Sequence, residues 1–246
     1  GDYNTAIGVL AMQSNTSGAN NVAVGNCMTA NTTGAQNTAV GNGAMNANTT
    51  GSYNTAFGNQ ALEANTTGSN NCAIGYKALE ANTTGVYNVA CGHEPLMANT
   101  TGQRNTAVGW RALHDNTTGN YNTAVGNRAL SLNTGNYNTG IGDYALDQCT
   151  TGQQNTAVGA GGPLGALTTG EFNTAMGSAA MDAVTTGSSN TAIGVHALSA
   201  ITTTNENTAI GHNAGAAITG SRGVFIGRGA CPNATTSDDG IAIGHD

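Results

Sequence analysis

The chain has 246 residues, a formal net charge of −7, 37 glycines, 8% charged residues and 4% aromatic residues. With only six Lys and Arg, it is a poor match for a nucleic-acid partner. No apolar run approaches the roughly 20 residues of a membrane-spanning helix, and Gly1 already stands inside a repeat rather than a signal-peptide pattern.

Taken without regard to order, such a composition drifts toward disorder. The order overturns that. The stretch Asn54-Thr55-Ala56-Phe57-Gly58, then Ala61-Leu62, then Asn65-Thr66-Thr67-Gly68, recurs along the whole chain. The first of its glycines falls at Gly8, Gly25, Gly41, Gly58, Gly75, Gly92, Gly109, Gly126, Gly142, Gly159, Gly177, Gly194, Gly211, Gly227 and Gly244, mostly 17 residues apart. Seventeen residues are too few for two helices and suit one turn of a β-solenoid, with two or three short strands joined by glycine corners. Fifteen rungs at the strand spacing of about 4.8 Å make a rod of roughly 70 Å.

Positions are counted from the corner glycine. Position −1 carries Ile7, Val24, Val40, Phe57, Ile74, Cys91, Val108 and their successors; position −3 carries Thr, Val, Cys or Ile. These side chains share one strand face, which the interchange of similar volumes predicts to be inward. Position −2, almost always Ala, then faces out, and Ala39, Ala56, Ala73, Ala90, Ala107, Ala124 and Ala157 form a strip of small residues suited to close approach of a second copy in a cyclic oligomer. A second inward column stands at +4 (Met12, Met45, Leu62, Leu79, Leu96). A third begins as Asn15, Asn31, Asn48 and Asn65 and later turns into Cys149, Val184, Ile201 and Ile218. An asparagine column that can become aliphatic is enclosed, with its amides bonded rung to rung.

The rungs predict a single solenoid domain over 1–246. Residues 1–152 are regular and 153–246 diverge: a corner insertion at Gly159–Gly165, an eroded Asn-Thr-Thr-Gly corner after Gly170, and Phe225 in the Ala column. The Gly159–Gly165 run matches a dinucleotide fingerprint only superficially, because no helix pattern follows it. With no polar cap at either end, the stretch reads as a piece of a longer fibre or a unit that stacks end to end.

Thr-Ala-Ile-Gly, Val-Ala-Val-Gly and Asp-Gly-Ile-Ala-Ile-Gly resemble the head repeats of trimeric autotransporter adhesins. The Asn-Thr-Ala-Val-Gly, Ala-Leu, Asn-Thr-Thr-Gly form is similar to repeats of phage tail-fibre and bacterial surface-fibre proteins. The resemblance covers nearly the whole chain and implies a left-handed parallel β-roll wound as a homotrimer, outside the cell or on a virion, engaged in attachment. The period of 17 departs from the usual shorter adhesin repeat.

No catalytic constellation stands out, and no cofactor or metal is expected: the five histidines lack partners at ligand spacing, and Asp238-Asp239 read as a solvated turn. The five cysteines occupy five different template positions and form no disulfide ladder. The distinctive surface feature lies at +1 and +2, where Tyr76-Lys77, His93-Glu94, Trp110-Arg111 and Asn127-Arg128 stack Tyr76, His93 and Trp110 beside Lys77, Arg111 and Arg128. Aromatic faces beside charged donors suit a host glycan or an anionic protein group. The sequence therefore predicts a non-enzymatic adhesive fibre segment. A receptor-free filament of end-docked solenoids is the alternative, and an ice-binding protein stands behind both, because the adjacent Thr-Thr residues point to opposite faces and the −3 Thr column reads as internal.

Overall fold

The computed structural model describes residues 1–231 and 238–245, which are all-β, with no helix among them. Two compact units, Gly1–Tyr121 and Asn122–Asp246, are each a parallel β-solenoid. The first contains β1 (Thr5–Ile7), β2 (Val22–Val24), β3 (Thr38–Val40), β4 (Thr55–Phe57), β5 (Cys72–Ile74), β6 (Val89–Cys91) and β7 (Thr106–Val108). The second contains β8 (Thr123–Val125), β9 (Thr139–Ile141), β10 (Thr156–Val158), β11 (Thr174–Met176), β12 (Thr191–Ile193), β13 (Thr208–Ile210), β14 (Val224–Ile226) and β15 (Ile241–Ile243).

Within each unit, successive strands pair in parallel and in template register: Val40 lies beside Phe57 and Phe57 beside Ile74. Each rung makes one circuit and bonds both neighbours. In the fourth, the N–H groups of Tyr53, Gly58 and Gln60 donate to Ala35, Val40 and Asn42, while those of Thr55, Leu62, Ala64 and Thr66 donate to Asn71, Ala78, Glu80 and Thr83.

Each rung holds one three-residue strand, not two or three. The rest is broken by left-handed backbone at three non-glycine positions, represented by Tyr53, Gln60 and Leu62 with φ of 61°, 58° and 52°. Extended runs cannot cross such residues, so the ladder continues through turns.

The strand faces are reversed from the sequence expectation. The Ala column at −2 is fully buried from Ala23 to Ala209, and the branched −3 and −1 side chains point outward, half-exposed to exposed. The reason is the narrowness of the coil. At Gly140, which stands in the Ala column, a Cβ already meets Leu130 Cγ at 3.1 Å and the Ala145 carbonyl at 3.1 Å. Alanine fills that space; a branched side chain overfills it.

The +4 and +7 columns are inside, as expected: Leu62, Leu79, Leu96 and Asn48, Asn65, Asn82 are completely buried. The +7 amides form the expected ladder, Asn48 Nδ2 donating to Asn31 Oδ1 at 2.7 Å and Asn65 Nδ2 to Asn48 Oδ1 at 2.9 Å. Each also folds back on its own corner, as Asn48 does on the Gly51 carbonyl at 3.0 Å. A Cβ at Gly51 would lie 2.4 Å from Asn48 Oδ1, so the glycine of Asn-Thr-Thr-Gly makes room for the amide. Thr204 takes that place in a rung whose +7 residue is Ile201.

A second asparagine column at −4, on the same strand face as the alanines, is equally buried from Asn21 to Asn207. Its carbonyls accept the backbone N–H of the next rung (Asn71 N–H to Asn54 Oδ1 and Asn88 N–H to Asn71 Oδ1, both 2.9 Å). Its NH₂ groups donate to corner glycines, Asn71 to Gly85 at 2.9 Å.

Phe225 shows how tightly the interior is matched. It replaces the small −2 residue yet is only 3% exposed. Gly223 replaces the −4 asparagine and Gly215 the +4 leucine beside it, and a Cβ at either would meet the ring at 2.4 and 3.0 Å. Three departures from the template thus conserve one volume.

Two predictions follow from this packing. Gly223→Asn is expected to lower stability by about 1–3 kcal/mol by overpacking, and adding Phe225→Ala to recover most of the loss; thermal unfolding of the single and double variants checks it. Asn71→Ala, which strands the buried Asn88 N–H, is expected to lose about 1–3 kcal/mol. Asn82→Val, which takes the donor from Asn65 Oδ1, should still lose less, since a carbonyl tolerates a missing partner better than an N–H, Val184 already occupies that column and Asn99 keeps its bond to Gly102 (3.1 Å); denaturant titration ranks the two.

Candidate functional site

Because the interior is closed by Ala, Leu and Asn, the surface chemistry lies in three outward columns: the strand face itself, the +1 and +2 positions after it, and position −5 before it. The strand face is flat by construction, since its residues occupy every second position of parallel, in-register strands. Phe57 (57% exposed), Ile74 (41%) and Val108 (37%) represent its −1 rank, and Thr55, Cys72, Val89 and Thr106 its −3 rank. The alanines expected at an oligomer interface (Ala39, Ala56, Ala73, Ala90, Ala107, Ala124, Ala157) are all enclosed by the chain's own coil, so the exposed strip consists of their branched neighbours.

At +1, Tyr76 and His93 are stacked with ring centroids 5.0 Å apart. Trp110, 43% exposed, holds the Arg111 guanidinium 5.0 Å from its ring, and Lys77 Nζ lies 5.7 Å from the Tyr76 ring. The basic groups are already engaged. Lys77 pairs with Glu80 at 3.0 Å, and Arg111 Nε donates to Glu94 Oε2 at 2.8 Å. Arg128, in the second unit, reaches Asp147 at 3.3 Å and covers the Tyr144 ring at 5.5 Å. The hydrogen bond from Arg111 holds the Glu94 carboxyl below the usual range against the opposing effect of burial. His114 Nε2 lies 3.7 Å from the same carboxylate, without a hydrogen bond, and His114 Nδ1 lies against Asp115. The patch thus offers exposed ring faces whose neighbouring charges are internally compensated, a surface better suited to uncharged ligands than to anions.

Position −5 carries a column that sequence reasoning missed. Of the chain's seven Tyr, three Phe and one Trp, six share this one template position: Tyr3, Tyr53, Tyr87, Tyr121, Tyr137 and Phe172. The concentration of a rare residue class at one position was the available signal. Among the described residues no group of three His, Cys, Asp or Glu is arranged to hold a metal. Asp238 and Asp239 face Arg222, whose Nε donates to Asp239 at 2.6 Å and whose Nη2 donates to Asp238 at 3.3 Å.

Four of the cysteines are free thiols: Cys27 and Cys149 lie inside the coil, and Cys72 and Cys91 are half-buried on the outward strand face. Cys72 faces Val89 across the pairing, and Cys91 faces Ile74. The two thiols are therefore diagonal, about 8 Å between Cα atoms from the strand dimensions, beyond disulfide reach. Compared with known proteins, the chain matches no family model and no curated sequence.

Burial pushes the Cys149 thiol up to about 12 from its ordinary 9.0. Between those values the unfolded chain ionises this thiol and the folded chain does not, so its contribution to stability, intact below pH 9, falls as pH rises. The stability difference between the natural chain and Cys149→Ala should shift against the natural chain by about 1.4 kcal/mol per pH unit over that window. Chemical denaturation at stepped pH measures it.

Proposed function

We propose that this chain is a non-enzymatic segment of an extracellular attachment fibre, on a phage tail or a bacterial surface, assembled as a homotrimer. The observation that carries the reading is the outward strand face. Over the seven strands of the first unit, the fourteen −3 and −1 side chains are all half-exposed or exposed and leave on the order of several hundred Å² of continuous, mostly apolar face, the scale of the roughly 800 Å² per partner of a standard interface. The same patch on identical chains closes most simply around a symmetry axis, and the resemblance to trimeric adhesin heads favours three. In this arrangement the branched −3 and −1 residues, not the enclosed alanines, meet between copies. The fibre's stiffness comes from the rung-to-rung ladder, and its recognition from the variable positions outside the shared face.

One observation favours a second reading. The −3 Thr rank faces outward, which removes the burial objection to an ordered-water or ice-binding surface.

Sedimentation velocity distinguishes the two. The natural chain is expected to sediment as a trimer, and Ile74→Glu or Val108→Glu as a folded monomer with an unchanged circular dichroism spectrum. Cys72 and Cys91 should be slow to alkylate in the trimer and fast in these variants. A natural chain that stays monomeric at every concentration overturns the proposal, and thermal hysteresis in that monomer establishes the second reading.

A further inference from the structure

We propose that the −5 column of the first unit is a binding strip for a neutral, linear, β-linked hexose polymer, read by Tyr53, Tyr87 and Tyr121 with Asn70 and Arg104 between them. The inference rests on the attachment reading and names the class of receptor.

The geometry is built rather than incidental. All five residues share one backbone conformation, with φ of 61°, 61°, 59°, 56° and 58° along the column. Each is tied to the preceding rung by its own N–H: Tyr53 to Ala35, Asn70 to Ser52, Tyr87 to Ser69, Arg104 to Val86 and Tyr121 to Gln103, at 3.0–3.2 Å. Their Cβ atoms therefore project in parallel from a rigid ladder, and the rings need little ordering on binding. Tyr53 and Tyr87 are 58% and 52% exposed and Tyr121 43%, so the rings contribute little to the core. The left-handed conformation disfavours an aromatic residue and suits asparagine, which the column uses at Asn20 and Asn70. Tyr87 and Tyr121 gain a contact with Arg104, but none of the three tyrosines gains a place in the core in return for the unfavourable backbone, which points to a task outside the chain.

Spacing and charge select the ligand. The tyrosines recur every second rung, about 9–10 Å apart at the strand spacing, about the length of two β-1,4-linked hexoses, whose like faces recur at every second sugar. Sugar C–H faces stack on tyrosine rings, and Asn70 and Arg104 fall where hydroxyl groups alternate with them. Arg104 is held in place, its guanidinium 5.6 Å from the Tyr87 ring and 5.3 Å from the Tyr121 ring and donating to the Tyr121 hydroxyl. A chain of net charge −7 repels polyanions, which favours a neutral polymer.

The test is calorimetry of the intact chain with cellobiose, cellopentaose and maltopentaose, with sedimentation run in parallel. Cellopentaose, long enough to span the column, is expected to bind at least about tenfold tighter than cellobiose or the α-linked, curved maltopentaose. Tyr87→Ala should weaken it about tenfold or more, Tyr87→Phe should retain it, and Val195→Ala, at an exposed position of the second unit outside the −5 column, should leave it unchanged. Absence of cellopentaose binding, indifference to length or linkage, or equal binding by Tyr87→Ala overturns the inference. So does a Tyr87→Ala chain that loses trimer stability in place of sugar affinity, which assigns the rings to the rim between copies. A trimer that persists without sugar binding sinks this inference alone and leaves the fibre reading intact.

Discussion

The structure depends on a buried amide. At −4 the asparagine carbonyl accepts the backbone N–H of the next rung while its NH₂ group donates to a corner carbonyl, a glycine's except at Asn190, where it is Thr204's, and this recurs from Asn21 to Asn105 in one unit and from Asn122 to Asn207 in the other. Each such group left unpaired inside the coil costs about 1–3 kcal/mol. The pairing is met at the separation of adjacent strands and in one register, so the column sets both the rise per rung and the alignment of everything else. Backbone ladders alone tolerate slippage; a buried amide ladder does not.

The narrow bore that brings the amides together also decides which residues lie inside. With asparagine at two stations and leucine at a third, alanine is what remains for the strand to contribute, and glycine is required where an amide folds back on its corner, as at Gly51. The branched residues are displaced to the surface. Where the chain departs from this arrangement it does so jointly. Phe225 enters the bore as Gly215 and Gly223 vacate it, and the −4 ladder ends with the Gly223 N–H donating to Asn207 Oδ1 at 2.9 Å.

The functional reading follows from the same division. Since the interior is nearly invariant, the exterior carries what distinguishes one rung from the next: a broad apolar strand face, which we propose meets copies of the chain, and two flanking columns, at −5 and at +1 and +2, where aromatic residues are concentrated. The charges of the latter patch are paired within the chain, which leaves its ring faces as the groups open to a ligand in the proposed reading.

The seventeen-residue period, the all-β coil, the enclosed leucine column and the enclosed +7 asparagine ladder were all legible in the sequence, because periodicity places each column and a switch from Asn31 to Ile201 makes sense only inside. Which face of the strand points inward was not legible. Alternation reveals that Thr55 and Phe57 share a side and Ala56 the other, but it carries no sign, and Val or Ile fits a core and an exposed strand equally well. The sign came from the width of the coil, which is set by contacts between residues in different rungs, such as that of the −2 position with Leu130. The sequence by itself thus determined the columns; only the tertiary structure decided which of them water can reach, because volume is a property of the closed circuit and not of any one rung's composition.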